Sequence, residues 1–428
     1  MRFLAILSLT LLAFVNYTIG KKSIFYPPLV FCFVWAATLV VIWIAGDFYY
    51  PLLPETLLIF SCGGLAFSLG SALAFGLPPL KPRNEQAFLQ SSNRILSVLL
   101  LLVLLGTPVA VRWVLQAISE HQAGNFLAAA YLTMIDKRIQ ESFGYSLFHN
   151  FLDLAIAVAL IAFYEKESGK KRAVLSIILA LALSVITGGR NAFVPLILSI
   201  VCLDWIKSRR IRLKLFTVLA IVLITLVSSV ALYVGKANAN PDASLTENTV
   251  PLVKSLVLYS TGGPVAYDRV VRAPQSVPHS LPITIFFTHL LHKIDASFQE
   301  PYTDMDWQST FVCTGPGECG MNVYTFYFSY IDFGYLPMMA IVIVLGFLVT
   351  TFYKKAILGS KICALTYAVL FPGVVLSLFQ EYFFRNLNFL LKICIVVWLV
   401  YSLPVMWSRF KKFVKRAVEV QLIRYEGS

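Results

Sequence analysis

Thr187-Gly188-Gly189-Arg190-Asn191 sits between two long apolar runs, and its arginine has no acid beside it in the sequence. A guanidinium at the end of a pair of hydrophobic segments is costly to strip of water, so it asks for an anion. Phosphate is the natural candidate. The planar fork of arginine matches phosphate oxygens, flanking glycines let the backbone approach, and the amides of the following helix start add donors. The alternative is a glycine-capped turn whose arginine snorkels to water. The theme recurs after Gly262-Gly263, where Arg269 and Arg272 are spaced i, i+3 and share one face if that stretch is helical. Arg112, Lys254 and Arg385 are further cations for the same role. Two glycine-plus-arginine segments point to an anionic, membrane-borne ligand.

A transfer reaction on such a ligand needs a group that takes the proton of an attacking hydroxyl, a task for a carboxylate or a histidine. The stretch 297–307, SFQEPYTDMDW, offers Glu300, Asp304 and Asp306 beside Tyr302 and Trp307, whose rings suit stacking on sugar faces. Glu300 and Asp304 rank first as the base, with His279 and His292 behind them. All five histidines, His121, His149, His279, His289 and His292, fall in or near segments assigned below to one membrane face. Asp304-Met305-Asp306 also fits the DxD pattern of nucleotide-sugar enzymes, but three residues match by chance too readily to count. Asp153 and Asp332 are the acids nearest to lipid, each within about two turns of a segment end where water reaches. Lys392, about one turn into the last apolar run, reads as a snorkelling lysine.

Of the seven cysteines, Cys32, Cys62, Cys202, Cys363 and Cys394 fall inside apolar segments and behave as small hydrophobes. Cys313 and Cys319 share an aqueous, glycine- and proline-rich segment. Tetrahedral zinc would need a second pair of ligands, so we expect a disulfide there and no metal.

The elements that must position these groups are membrane helices. The chain of 428 residues has 58% hydrophobic and 13% charged side chains and a mean hydropathy of +0.76, against about a quarter charged in soluble domains. We read eleven apolar runs, near 3–20, 24–46, 52–79, 95–117, 147–164, 173–187, 191–206, 214–236, 324–352, 361–380 and 388–407. Runs this long and apolar satisfy their backbone as helices, so the expected fold is all-α. Basic clusters at 21–22, 81–94, 165–172, 207–214, 353–361 and 409–424 all land on one face if all eleven runs cross, and basic loops mark the cytoplasmic side. The net charge of +13 is then a topology signal and gives no ground for a nucleic-acid partner. The expected organisation is eight membrane helices in 1–236, a large outer loop subdomain in 237–323, three more helices in 324–407 and a basic cytoplasmic tail in 408–428. The first apolar run is expected to stay in place rather than be cleaved as a signal, because no A-x-A-like site follows it.

The GGRNAF stretch between two helices, the large outer loop before the third-last helix, and NVYTFYFSYIDFGYLPMM at 322–339 resemble the O-antigen polymerases (Wzy) and the wider oligosaccharide repeat-unit polymerases. The arginine-x10-glycine form described for some of them is not found at the outer arginines. The resemblance implies a multi-spanning glycosyltransferase, GT-C-like in fold, of a bacterial inner membrane, with its active site facing the periplasm. It implies undecaprenyl-diphosphate-linked oligosaccharides as substrates, neither metal nor cofactor, and a chain-length regulator as a possible partner. Arg190, Arg269 and Arg272 would then stabilise the departing diphosphate. An O-antigen ligase, or a flippase or transporter of the same lipid-linked sugars, is the alternative. Against a transporter, no internal repeat is visible.

Overall fold

The computed structural model describes residues 1–78, 89–119, 129–130, 133, 142–166, 169–186, 192–210, 212–233, 245–273, 285–295, 311–316, 321–322, 325–327 and 333–426. The helices run α1 Arg2–Ile19, α2 Pro27–Ile44, α3 Pro54–Gly76, α4 Leu89–Ser119, α5 Phe143–Tyr164, α6 Lys170–Ile186, α7 Phe193–Ser208, α8 Leu213–Tyr233, α9 Leu245–Arg272, α10 Ile285–Ile294, α11 Tyr335–Ile357, α12 Lys361–Val375 and α13 Leu387–Glu426. Proline opens α2 and α3, where its missing N–H costs nothing. Ser142 caps α5 by accepting from the Tyr145 N–H at 3.2 Å. The described strands are a two-residue antiparallel ladder, β1 Phe311–Val312 against β2 Met321–Asn322.

Eight helices among the described residues are long and apolar enough to cross a membrane: α1, α2, α3, 93–116 of α4, α5, α11, Lys361–Leu378, and Leu387–Pro404 at the start of α13. The chain is a polytopic helical membrane protein. The three other apolar runs are helices as well, α6, α7 and α8, of 17, 16 and 21 residues. Described residues of several loops that carry basic clusters meet at one end of the bundle. There Lys361 pairs with Glu165 at 2.8 Å, Lys166 pairs with Asp204 at 3.1 Å, and Lys354 donates to the Phe75 carbonyl at 2.8 Å. The segments 45–53 and 377–386 and the C-terminal turns of α9 lie at the opposite end, hereafter the outer end.

Two expectations are refined. The ninth apolar run starts near 324, but α11 begins only at Tyr335, behind Gly334 at φ +78. Thr325–Tyr327 instead enter the core as non-helical chain. Tyr327 is fully buried, 4.8 Å from Trp35 and 5.5 Å from Phe60 between ring centroids. Hydropathy registers the buried non-helical chain at Thr325–Tyr327 and a helix alike. The outer region also holds a 28-residue helix, α9, rather than short helices alone.

Among the described residues the most extensive helix–helix contact joins α3 to α11, and small residues make it close. A Cβ added to Gly70 would fall 1.9 Å from the Ile343 carbonyl oxygen, and one added to Gly346 would fall 2.3 Å from that of Phe67. Ser71 and Thr350 cross-link the seam, with 2.9 Å between their hydroxyls. In lipid no hydrophobic force draws helices together, so such backbone proximity and hydroxyl pairing hold them. We expect Gly70→Val to lower the melting temperature in detergent by several degrees, since overpacking costs about 1–3 kcal/mol. Gly76→Val, where an added Cβ meets nothing within 4 Å, should leave it unchanged. Equal melting temperatures for the two variants would contradict the seam.

Candidate functional site

The outer turns of α9 carry the arginine pair foreseen from spacing, and the structure supplies what holds it. Asp268 is fully buried. Its Oδ1 accepts from the Leu53 N–H at 2.6 Å, and its Oδ2 accepts from Arg272 Nε at 2.7 Å, one turn further along the helix. Arg272 also donates from Nη2 to the Pro51 carbonyl. Tyr49 and Thr261 hydroxyls lie 2.6 Å apart, and the Tyr50 N–H donates to the Thr314 carbonyl at 2.8 Å. The α2–α3 loop is thereby a strap tied to α9 and to the segment of Cys313. Arg269 stays exposed, its guanidinium 4.8 Å from the centre of the Tyr50 ring, a cation–π contact that orients it.

The glycine before this pair has a different task from the one its sequence suggested. A Cβ on Gly263 would lie 2.0 Å from the Leu378 carbonyl oxygen. Gly263 therefore lets α9 close on the 3₁₀ turn Leu376–Leu378 and is taken up by packing, not by a phosphate group.

That turn leads into a second polar feature. Glu381, buried between α12 and α13, accepts three backbone hydrogen bonds of 2.9 Å: from Phe383 N–H to Oε1, and from Phe384 and Arg385 N–H to Oε2. Burial pushes its pKa up from 4.5 to about 7, although the three amides and the Arg385 charge pull the other way. The folded state thus holds a proton that the unfolded chain releases near 4.5. Stability from this group is greatest below pH 4.5, falls as pH rises towards 7, and is level above that, a change on the order of 3 kcal/mol. Glu381→Gln should flatten that decline when unfolding is followed between pH 5 and 8. Parallel pH profiles for variant and parent would contradict the assignment.

A third feature lies in the outer half of α5. Tyr145, His149 and Asp153 follow one another at i, i+4, i+8, and the Tyr145 and His149 rings are tilted at 47° with their centroids 4.3 Å apart. Asp153, 8% exposed, accepts from Lys392 Nζ of α13 at 2.8 Å. Lys392 is therefore not the snorkelling lysine its position suggested, because a carboxylate across the helix interface gives its charge a nearer partner than water. Nε2 of His149 is buried and meets no hydrogen-bond partner among the described residues.

No protein-family model, curated protein or solved structure matches the chain. The remaining candidates stand as follows. Arg190, His279, Glu300, Asp304, Asp306, Asp332 and Cys319 lie outside the described residues. His292 is half-buried on α10. Arg112 is exposed near the outer end of α4, Lys254 is exposed in the first half of α9, and Arg385 is half-buried in the turn fixed by Glu381. Cys313 is disulfide-bonded, and the five other described cysteines are free. Among the described residues no group of three His, Cys, Asp or Glu side chains is placed to hold a metal ion. Sequence reasoning missed Asp268 and Glu381. Asp268 did carry a signal, the i, i+4 spacing to Arg272, whereas nothing near Glu381 announces three converging amides.

Proposed function

We propose that the protein is a membrane glycosyltransferase that polymerises undecaprenyl-diphosphate-linked oligosaccharide repeat units at its outer end. The observation that carries this reading is the α9 terminus. A buried carboxylate and a strap of chain fix one arginine, and beside it Arg269 stays open to solvent at the membrane surface. A fixed guanidinium of this kind suits a diphosphate.

In the proposed reaction the non-reducing sugar hydroxyl of one lipid-linked unit attacks the anomeric carbon of the growing glycan. The new glycosidic C–O bond forms, the bond to the diphosphate oxygen breaks, and undecaprenyl diphosphate leaves with the electron pair. Arg269, with Arg190 and Arg272, offsets the charge that develops on the leaving group. Glu300 or Asp304, or His279 or His292 in their place, accepts the hydroxyl proton. Glu381 acts at a distance by fixing the turn that carries Arg385, and Arg112 and Lys254 add positive charge. We further propose eleven crossings in a GT-C-like arrangement in a bacterial inner membrane, with the basic end cytoplasmic and the site periplasmic.

The test is the lipopolysaccharide ladder of a strain lacking the gene. The polymerase reading expects single-unit caps that lengthen again on complementation. Complete loss of caps would mark a ligase, and lipid-linked units trapped on the cytoplasmic side would mark a flippase; either result overturns it.

A further inference from the structure

A pocket of about 330 Å³ opens at the end opposite the α9 arginines, where α1, α3, α7 and α11 finish. It is lined by Lys21, Lys22, Arg209, Trp205, Tyr353 and Ser23, among others, and among the described residues no acid lines it. Three of its lining residues share an unusual backbone. Lys21, Lys22 and Arg209 have φ of +53, +62 and +55, and they are the non-glycine residues with positive φ among those described. The left-handed region is unfavourable for a side chain with a Cβ and persists where the surroundings enforce it. A glycine was at hand, yet Gly20 takes φ −73 and the strain falls on the lysines that follow.

Neighbouring charges sharpen the contrast. Two described acids at this end are engaged elsewhere: Glu165 with Lys361, and Asp204 with Lys166 and Arg212. Arg209 donates from Nη2 to the Ile357 carbonyl at 2.6 Å, with its guanidinium 5.5 Å from the Trp205 ring. Among the described residues neither Lys21 nor Lys22 takes part in an ion pair, and both are exposed. The hydroxyls of Tyr353 and Ser23, 2.7 Å apart, face the same space. Three cations on enforced backbone, two hydroxyls and an indole wall surround one opening. Its volume is at the small end of the roughly 300–1,000 Å³ found for ligand pockets.

We propose that this pocket binds a phosphate group, presented by an anionic phospholipid at the membrane surface. Basic pockets between membrane helices commonly take such head groups. Helix-end capping is the competing explanation for left-handed residues at these positions, and glycine separates the two. Lys21→Gly, Lys22→Gly and Arg209→Gly together keep the backbone at ease and remove the cations.

The experiment is native mass spectrometry of the full chain taken from vesicles of equal phosphatidylglycerol and phosphatidylcholine. The parent should retain phosphatidylglycerol over phosphatidylcholine by at least about tenfold, the scale of one charge-assisted hydrogen bond. The triple-glycine variant should lose that preference at an undiminished melting temperature. Should that variant fail to accumulate, Lys22→Gln with Arg209→Gln provides the same reading. Equal retention of both lipids by the parent, or an unchanged preference in the cation-free variant, overturns the proposal. Inorganic phosphate in excess distinguishes the source. Lipid retained against it supports a lipid head group, whereas phosphate binding by lipid-free protein with no lipid preference assigns the pocket to a soluble phosphate and overturns the lipid.

Discussion

Lys392→Met alone is expected to remove about 3 kcal/mol of stability, and adding Asp153→Leu is expected to restore it. The single change leaves the Asp153 carboxylate 8% exposed and without its 2.8 Å partner, in the membrane part of α5. Breaking a buried pair from one side costs about 3–5 kcal/mol, because the remaining charge has nothing to compensate it. Removing both charges and filling the space with apolar side chains of similar size is neutral or stabilising in many cases. Thermal unfolding in detergent of the two single variants and the double variant gives the coupling directly. Additive effects would show that the pair contributes nothing. A double variant that is stable but inactive would move the pair, with the neighbouring His149, from architecture to chemistry.

If the protein polymerises lipid-linked units as proposed, Arg269→Ala is expected to lower polymer formation about tenfold to hundredfold while the protein accumulates normally. A charge-assisted hydrogen bond is worth about 1.5–3 kcal/mol, and each 1.36 kcal/mol is a factor of ten in rate. Arg269 rests on the Tyr50 ring and is exposed, so the fold does not depend on its charge. Arg272 differs. Truncating it strands the buried Asp268 and frees the Pro51 strap, so Arg272→Ala should reduce accumulation itself. Arg269→Lys tests geometry apart from charge. A lysine keeps the charge but loses the planar fork, so rescue should be partial. A normal glycan ladder from Arg269→Ala at the parent's protein level would remove Arg269 from the site.

The membrane helices were legible because lipid imposes a length and an apolarity that any reader of the chain can count. The apolar runs near 3–20, 24–46 and 52–79 became α1, α2 and α3 with ends moved by a few residues. α9 was not legible as one helix: Glu247 and Lys254 dilute its hydropathy, and Pro251 and Pro264, ordinarily breakers, lie within it. The pairing of Arg269 with Arg272 on one face followed from spacing alone. The Asp153–Lys392 contact joins residues 239 apart in the chain, and no local pattern encodes a distance of that kind. Glu381 was invisible for another reason, since what distinguishes it is three backbone amides that any sequence possesses.

The seam between α3 and α11 sets a timetable for biogenesis. Ser71 and Gly346 meet across it although 275 residues separate them, so a ribosome adding about 5–20 residues per second needs roughly 15–55 s between the two. For that interval α3 sits in the bilayer with its glycine and serine edge turned to lipid or to whatever escorts it. Nascent chains halted before residue 335 would present that edge to quality-control proteases, and the third-last helix, arriving late, would close the molecule.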